Sequence, residues 1–334
     1  MTRAMLLCAG KGTRLGELSS ERPKPLLPVC DIPILRYSIA NLVAHGITDI
    51  VINLHHRGEL IRAEIGDGRT LGAHVQYSEE VEILGTGGGL KHALHLLDPE
   101  GNDEPFLSMN GKLIFDLDIH ALVASYAATK DSLGTMVVKP APNAMKWGAL
   151  DVRPEGEGLR VHNILEEGGH MFCGVHMTRP SVMRNLPDGE ACSIRQGYLP
   201  WLREGQRVSA FVHEGGYFAE HSTPKRYLQS SIDLLGDARL RNPPGPLRGI
   251  DESAQIHPSS AIVEPVRIAA GAIIEAKAQV GPNAVIGAGA RVTEASHVQD
   301  CVVWAQAVAT GNLRHKIVTP KITIEASGND LADT

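Results

Sequence analysis

The sequence predicts an α/β domain with a mixed, mainly parallel sheet, followed by a short parallel β-helix. Three observations lead there. Short apolar runs alternate with amphipathic segments over the first 240 or so residues. A run rich in Pro and Gly, Asn242–Asp251, then breaks the pattern. Beyond it an aliphatic residue recurs at every sixth position. The expected division is 1–240 for the α/β domain, 241–252 for a linker, 253–320 for the β-helix and 321–334 for a polar, frayed tail.

In chain order, Ala4–Cys8, Asp49–Leu54, His74–Tyr77 and Pro105–Met109 read as strands. Pro33–His45, Gly58–Ile65 and Gly87–Leu97 read as helices between them. The first helix opens on Pro33 and stops before Gly46, the usual start and stop signals. Alternating βαβ units imply parallel strands covered by helices on both faces. From Leu133 to Val212 the pattern is richer in strands, with helices near Pro180–Leu186 and Ile194–Glu204, so an inserted or antiparallel portion is expected. Past the linker, Ile256, Ile262, Ile268, Ile274, Val280, Ile286, Val292 and Val298 mark eight hexads. A six-residue period stacks each short strand on a like neighbour, the pattern of a parallel β-helix.

Composition narrows the function. At 334 residues the chain is longer than one typical domain. A net charge of −6 argues against nucleic acid as a partner, though the basic residues near the start are clustered enough for a local anion site. Five cysteines are scattered with no CxxC, which suits reduced thiols in a cytoplasm. No apolar run approaches membrane-spanning length and the start is too short for a signal peptide, so no membrane partner is expected.

The segment Leu7–Val29 reads LCAGKGTRLGELSSERPKPLLPV. A strand ends, and Gly10-Lys11-Gly12-Thr13-Arg14 turns the chain so that backbone N–H groups can face an anion. The spacing fails the Walker pattern, and Leu15 stands where a dinucleotide fingerprint needs its third Gly. Two cations, Arg14 and Lys24, with prolines stiffening the chain around the second, suit a triphosphate and a second phosphate together.

Here the chain resembles the sugar-phosphate nucleotidyltransferases, whose G-x-G-T-R loop and P-K-P-x-x-P-V run it carries in full. The resemblance covers residues 4–235 and implies a Rossmann-like nucleotidyltransferase domain. The hexads resemble the hexapeptide-repeat, left-handed β-helix family, which three hexads per coil would make fewer than three coils long. The resemblance implies that Leu7, Ala9, Gly10, Lys11, Gly12 and Thr13 hold the nucleotide, with Asn110 and Gly111 beside them. Arg14 would steady the departing pyrophosphate, and Lys24 would lie between the α-phosphate and the sugar phosphate.

Two more stretches agree. Glu80–Leu90, EVEILGTGGGL, is similar to the E-x-E-x-L-x-T-x-G of the guanylyl and muramate-phosphate uridylyl branches. Gly85, Thr86 and Gly87 would let base and ribose approach the backbone, and Glu80 would accept from guanine. The alternative, that Glu80 and Glu82 are a solvated loop face, stays open. Phe218–Tyr227, FAEHSTPKRY, is similar to the family's W-x-D-I-G-T-P-x-x-Y. Gly148, Glu166 and Gly174 fall on the sugar side by the same resemblance. The implied reaction joins an NTP and a sugar-1-phosphate, GTP and mannose-1-phosphate being the first choice. Mg²⁺ is the implied cofactor, and the β-helix suggests a homo-oligomer or a cap.

Departures from the family pattern matter most at the metal. Relatives place an Asp after the NG turn and another in D-I-G-T-P; here Lys112 and Glu220 stand there. Glu220 still offers a hard oxygen, but the Lys112 ammonium repels a cation. Three readings stay open: Lys112 grips phosphate in the metal's place, Mg²⁺ rides on the triphosphate with Glu220 as its only carboxylate or with help from Asp116, or the protein is a silent nucleotide-sugar-binding regulator or subunit. Ile164–Glu167 lacks the family's E-K-P lysine, and His221 replaces an aliphatic residue. Asp118 reads as a helix N-cap rather than a ligand.

Overall fold

Nine strands form one mixed sheet, in spatial order His74–Glu79, Asp49–Leu54, Arg3–Leu7, Phe106–Asn110, His170–Thr178, Gly134–Pro140, Ser209–Val212, Gly158–Ile164 and Ala149–Glu155. The computed structural model to which they belong describes residues 2–129, 131–156 and 158–326. The first four strands are parallel, as βαβ connections require. His170–Thr178 then runs antiparallel to both of its main neighbours and shifts register between Phe172 and His176. Its neighbour Gly134–Pro140 pairs parallel with Ser209–Val212, and Gly158–Ile164 closes back antiparallel on Ala149–Glu155. The core under this sheet gathers Met5, Val51, Leu90, Phe106, Met136 and Tyr198, all buried.

The chain divides into two compact units. The sheet lies in the first, which holds the segments up to Lys11, Ser38–Gly111 and Asp116–Gly216. The second holds Gly12–Tyr37, Lys112–Phe115 and everything described from Tyr217 onward. The units therefore cut across the sequential boundary at residue 240, because two early segments join the C-terminal part.

In the second unit, three parallel ladders build the β-helix. One stacks Gly249–Ile250, Val266–Ile268, Ala284–Ile286, Cys301–Val303 and Lys316–Val318. In its early coils each strand pairs with the one 18 residues on, as in Ile256↔Ile274 and Val280↔Val298, which is three hexads per coil. The helix is longer than the hexads suggest. Later rungs pair Ala284↔Cys301 and Val302↔Ile317, offsets of 17 and 15, so the six-residue period is lost while the stacking continues. Gly249–Ile250, inside the stretch read as linker, is already a rung. Thr323–Glu325, read as frayed tail, folds back antiparallel on Lys316–Val318; residues 327–334 lie outside the described part.

The β-helix packs on the two early segments. Leu15, Leu18, Leu27, Ile34 and Tyr37 share a buried cluster with Tyr227, Val285, Val302, Trp304 and Ile317. Trp304 Nε1 donates to Tyr227 Oη at 2.9 Å, and Tyr227 Oη donates to the Pro28 carbonyl at 2.6 Å. Arg22 lies over the Trp304 ring, 5.3 Å from its centroid, and Asp31 Oδ2 accepts from Ala288 N at 3.2 Å.

Candidate active site

Of the residues expected to meet phosphate, Gly12, Thr13, Arg14, Lys24 and Lys112 belong to the second unit. Gly12 takes φ +70°, a left-handed turn open to glycine, and Thr13–Leu15 follows as a short 3₁₀ turn with Arg14 exposed. The Lys24–Leu26 turn is preceded by Pro23 in extended conformation, and Ile34 N donates to Leu27 O at 3.1 Å to pin its far end. Lys24 is buried, only 9% exposed. Among the described residues, no group hydrogen-bonds its Nζ. Burial, reinforced by the nearby Lys112 charge and partly offset by Glu220, pulls its pKa down to about 8.

A short antiparallel pair, Leu113–Phe115 with Phe218–Glu220, sets Leu113 opposite Glu220 and brings Lys112 to it. Lys112 Nζ forms an ion pair with Glu220 Oε1. The other oxygen, Oε2, accepts from Ser222 Oγ at 2.8 Å and from Arg226 Nη1 at 3.3 Å. Burial alone would raise the Glu220 pKa. The Lys112 charge and the hydrogen bonds from Lys112 and Ser222 outweigh it and hold the carboxyl at about 2. His221 is fully buried, and its Nδ1–H donates to the Lys112 carbonyl at 2.9 Å. Burial pulls its pKa down to about 4, so the ring is neutral and holds Lys112 in place. Thr223 caps the Pro224–Leu235 helix, its side chain accepting from Arg226 N.

This cluster does not fit Mg²⁺. Both oxygens of its one carboxylate are bonded to protein donors, two of them cationic, where a hard cation needs several unengaged oxygens. Asp116, a possible helper in the sequence, belongs to the first unit, where its main-chain and side-chain oxygens lie close to Gly216. Asp118 caps the Ile119–Ala128 helix by accepting from Ala121 N. Asp118 also forms, with His45 and His120, a group whose ligand atoms lie within 4.8 Å of one another.

The residues expected to meet the base, Glu80 and Gly85–Gly87, belong to the first unit, where the structure revises three expectations. Glu80 is buried rather than a solvated face. Nor does it present unengaged oxygens to a base, since Oε1 accepts from Asn53 Nδ2 at 2.6 Å and Oε2 from Leu84 N at 3.0 Å. The glycine cluster is filled by the protein itself. A Cβ at Gly88 would lie 2.2 Å from Gly189 O, and one at Gly89 would lie 2.6 Å from Glu80 Oε1. Gly87 N donates to Ala191 O at 2.7 Å, Gly85 abuts the same carbonyl, and Thr86 Oγ1 accepts from Ser193 N at 3.0 Å. These residues dock 189–193 rather than leave an open face.

Other site residues meet in pairs. Gly111 N donates to Leu7 O at 2.9 Å, and Cys8 N donates to Asn53 Oδ1 at 2.7 Å beside buried Ala9. Asn110 packs where Gly174 leaves room, a Cβ there falling 2.3 Å from its Nδ2. Gly148 abuts Leu165, next to Glu166, whose carboxylate accepts from Asn163 and Arg203. Gly10 and Lys11 are exposed at the end of a first-unit segment. Sequence reasoning missed Arg226, Ser222, Asn53 and Ser193. Arg226 alone had a signal, being four residues from Ser222 across a Thr-Pro helix start.

A nucleotidyl transferase family model matches residues 3–167. The mannose-1-phosphate guanylyltransferase of Mycobacterium tuberculosis is 27% identical over 302 residues, covering 86% of this chain and 80% of that protein. The mannose-1-phosphate guanyltransferase of Hypocrea jecorina is 29% identical over 273 residues, covering 78% and 73%. Among solved structures, HddC of Yersinia pseudotuberculosis, complexed with GMP-PN, shares the fold at TM-score 0.58 and 23% identity, over 69% of this chain and 98% of that one. The match to the nucleotidyl transferase family model takes in the G-x-G-T-R loop at Gly10–Arg14, and over most of its length the chain is similar to these two guanylyltransferases.

Proposed function

We propose that the protein transfers a nucleotidyl group from an NTP to a sugar-1-phosphate, with GTP and mannose-1-phosphate as the pair. A sugar-phosphate oxygen attacks the α-phosphorus, the bond to the bridging oxygen of pyrophosphate breaks, and NDP-sugar and pyrophosphate leave. One observation supports this above the others: Lys24 is 9% exposed, its Nζ has no hydrogen-bond partner among the described residues, and it feels the Lys112 charge. A largely desolvated cation beside a second cation, only partly offset by Glu220, is costly, and a phosphate group relieves that cost. Two curated relatives named for mannose-1-phosphate and a fold neighbour solved with a guanine nucleotide analogue favour this pair. Lys24 bridges the α-phosphate and the sugar phosphate, and Arg14 steadies the leaving pyrophosphate. Both act by charge neutralisation at fixed positions. Five free thiols and the absence of any described helix long and apolar enough to cross a membrane agree with a cytoplasmic setting.

The second reading is a nucleotide-sugar-binding regulator without activity, favoured by the closed Lys112–Glu220 pair. Pyrophosphate release over four NTPs and a panel of sugar-1-phosphates separates the two. Release from GTP with mannose-1-phosphate supports the enzyme. Silence from every pair, with measurable NDP-sugar binding, replaces it with the regulator.

A further inference from the structure

Arg14, Lys24, Lys112 and Arg226 are tied electrostatically to one carboxylate, Glu220, or to one another. Lys24 and Lys112 repel each other beside this carboxylate, and an added anion relieves that repulsion. How the carboxylate is bonded says which cation is free to serve it. Glu220 Oε2 keeps two donors, Ser222 and Arg226, whatever Lys112 does. Lys112 is fixed at its backbone by His221 and by the Leu113 strand pairing, yet its side chain is 26% exposed on a flexible four-carbon stem. The stem is anchored and the head can swing.

We propose that Lys112 is a built-in counter-cation for phosphate: its ammonium rests on Glu220 in the unliganded protein and moves to a phosphoryl oxygen when a triphosphate or pyrophosphate binds. Glu220 is the internal competitor that holds the charge in readiness. The exchange leaves Glu220 with an Arg partner and a hydroxyl donor, so no buried charge is stranded. It gives the phosphate a fixed cation without calling on a protein-held metal. This deepens the nucleotidyl-transfer reading and rests on it for the identity of the anion, while the binding step can be measured without turnover.

The test is calorimetric titration of the full chain with inorganic pyrophosphate in the presence of a chelator. Wild-type protein is expected to bind, and Lys112→Ala to bind about 10- to 100-fold more weakly, the range for losing one charge-assisted contact. Glu220→Gln removes the competitor and is expected to tighten binding, the opposite of what a merely structural ion pair gives. Lys112→Asp is expected to bind pyrophosphate only when Mg²⁺ is added. Circular dichroism of each variant, with Lys112→Gln as a milder truncation, separates lost binding from lost folding. Wild-type binding that needs Mg²⁺, or Lys112→Ala and Lys112→Gln binding as tightly as wild type, overturns the proposal. Chelator-resistant binding alongside a silent release assay keeps this inference and discards the transfer reading. Mg²⁺-dependent release without binding in chelator does the reverse.

Discussion

Lys24 has a pKa near 8 where an exposed lysine has 10.5, and two pH effects of opposite sense follow. If Lys24 meets phosphate as proposed, affinity is expected to fall as pH rises through about 8, because the ammonium discharges; Lys24→Arg is expected to keep its affinity flat up to pH 9.5 in the same titration. Stability moves the other way. The unfolded chain holds this proton up to about 10.5 and the folded chain releases it near 8, so this group's contribution improves between those values. Urea midpoints at pH 7.5 and 9.5 should therefore rise with pH in wild type relative to Lys24→Met. Glu220 acts at the acid end. Its folded pKa of about 2 lies below the ordinary 4.5, so the stability it gives is complete above 4.5 and is lost as pH falls through 2. The sequence makes Lys112 visible as a misplaced cation, and the family pattern brings Glu220 to the same site. It could not show that Glu80 is spoken for, since Asn53 lies in another strand with nothing in its neighbourhood to mark the bond.

Helix starts were legible where local chemistry decides them. Thr223-Pro224 and Asp118 both cap as their residue types suggest, and Thr223→Ala is expected to cost about 1 kcal/mol of stability in denaturant titration. The same change should weaken pyrophosphate binding slightly, since the capped residue is the Arg226 that holds Glu220. Pro33 was less faithful. It ends a two-residue strand, and the helix runs Ile34–Ala44, because pairing of Val29 with Ile32 outranks the proline's preference for a first turn. The glycines of Gly85–His92 looked like room for a ligand and are room for 189–193 instead. Gly88→Ala must move the Gly189 carbonyl, and a loss of roughly 1–3 kcal/mol, the usual range for overpacking, is expected in urea melts.

Over the whole molecule, the alternation of strands and helices announced the α/β sheet, and the hexads announced the β-helix as far as Val298. Its remaining turns were hidden because spacings of 17 and 15 carry no six-residue signal. Its use was also hidden: rather than standing apart as a cap, it buttresses Gly12–Tyr37 through Trp304. Trp304→Ala is expected to cost about 3–5 kcal/mol, as large buried aromatics do. Trp304→Phe keeps most of the volume but deprives Tyr227 of its donor, and should weaken pyrophosphate binding through the Pro28 segment that follows Lys24.

That buttress sets an order of events during translation. Leu15, Leu18 and Leu27 are made more than 250 residues before the surfaces that bury them, Val285, Val302, Trp304 and Ile317. In that interval the cationic loop hangs from a sticky, unfinished stretch of nascent chain, the kind of segment a holdase retains. On the proposed reading, phosphate binding waits for the coil that carries Trp304, and a chain stopped before residue 285 is expected to stay unarmed.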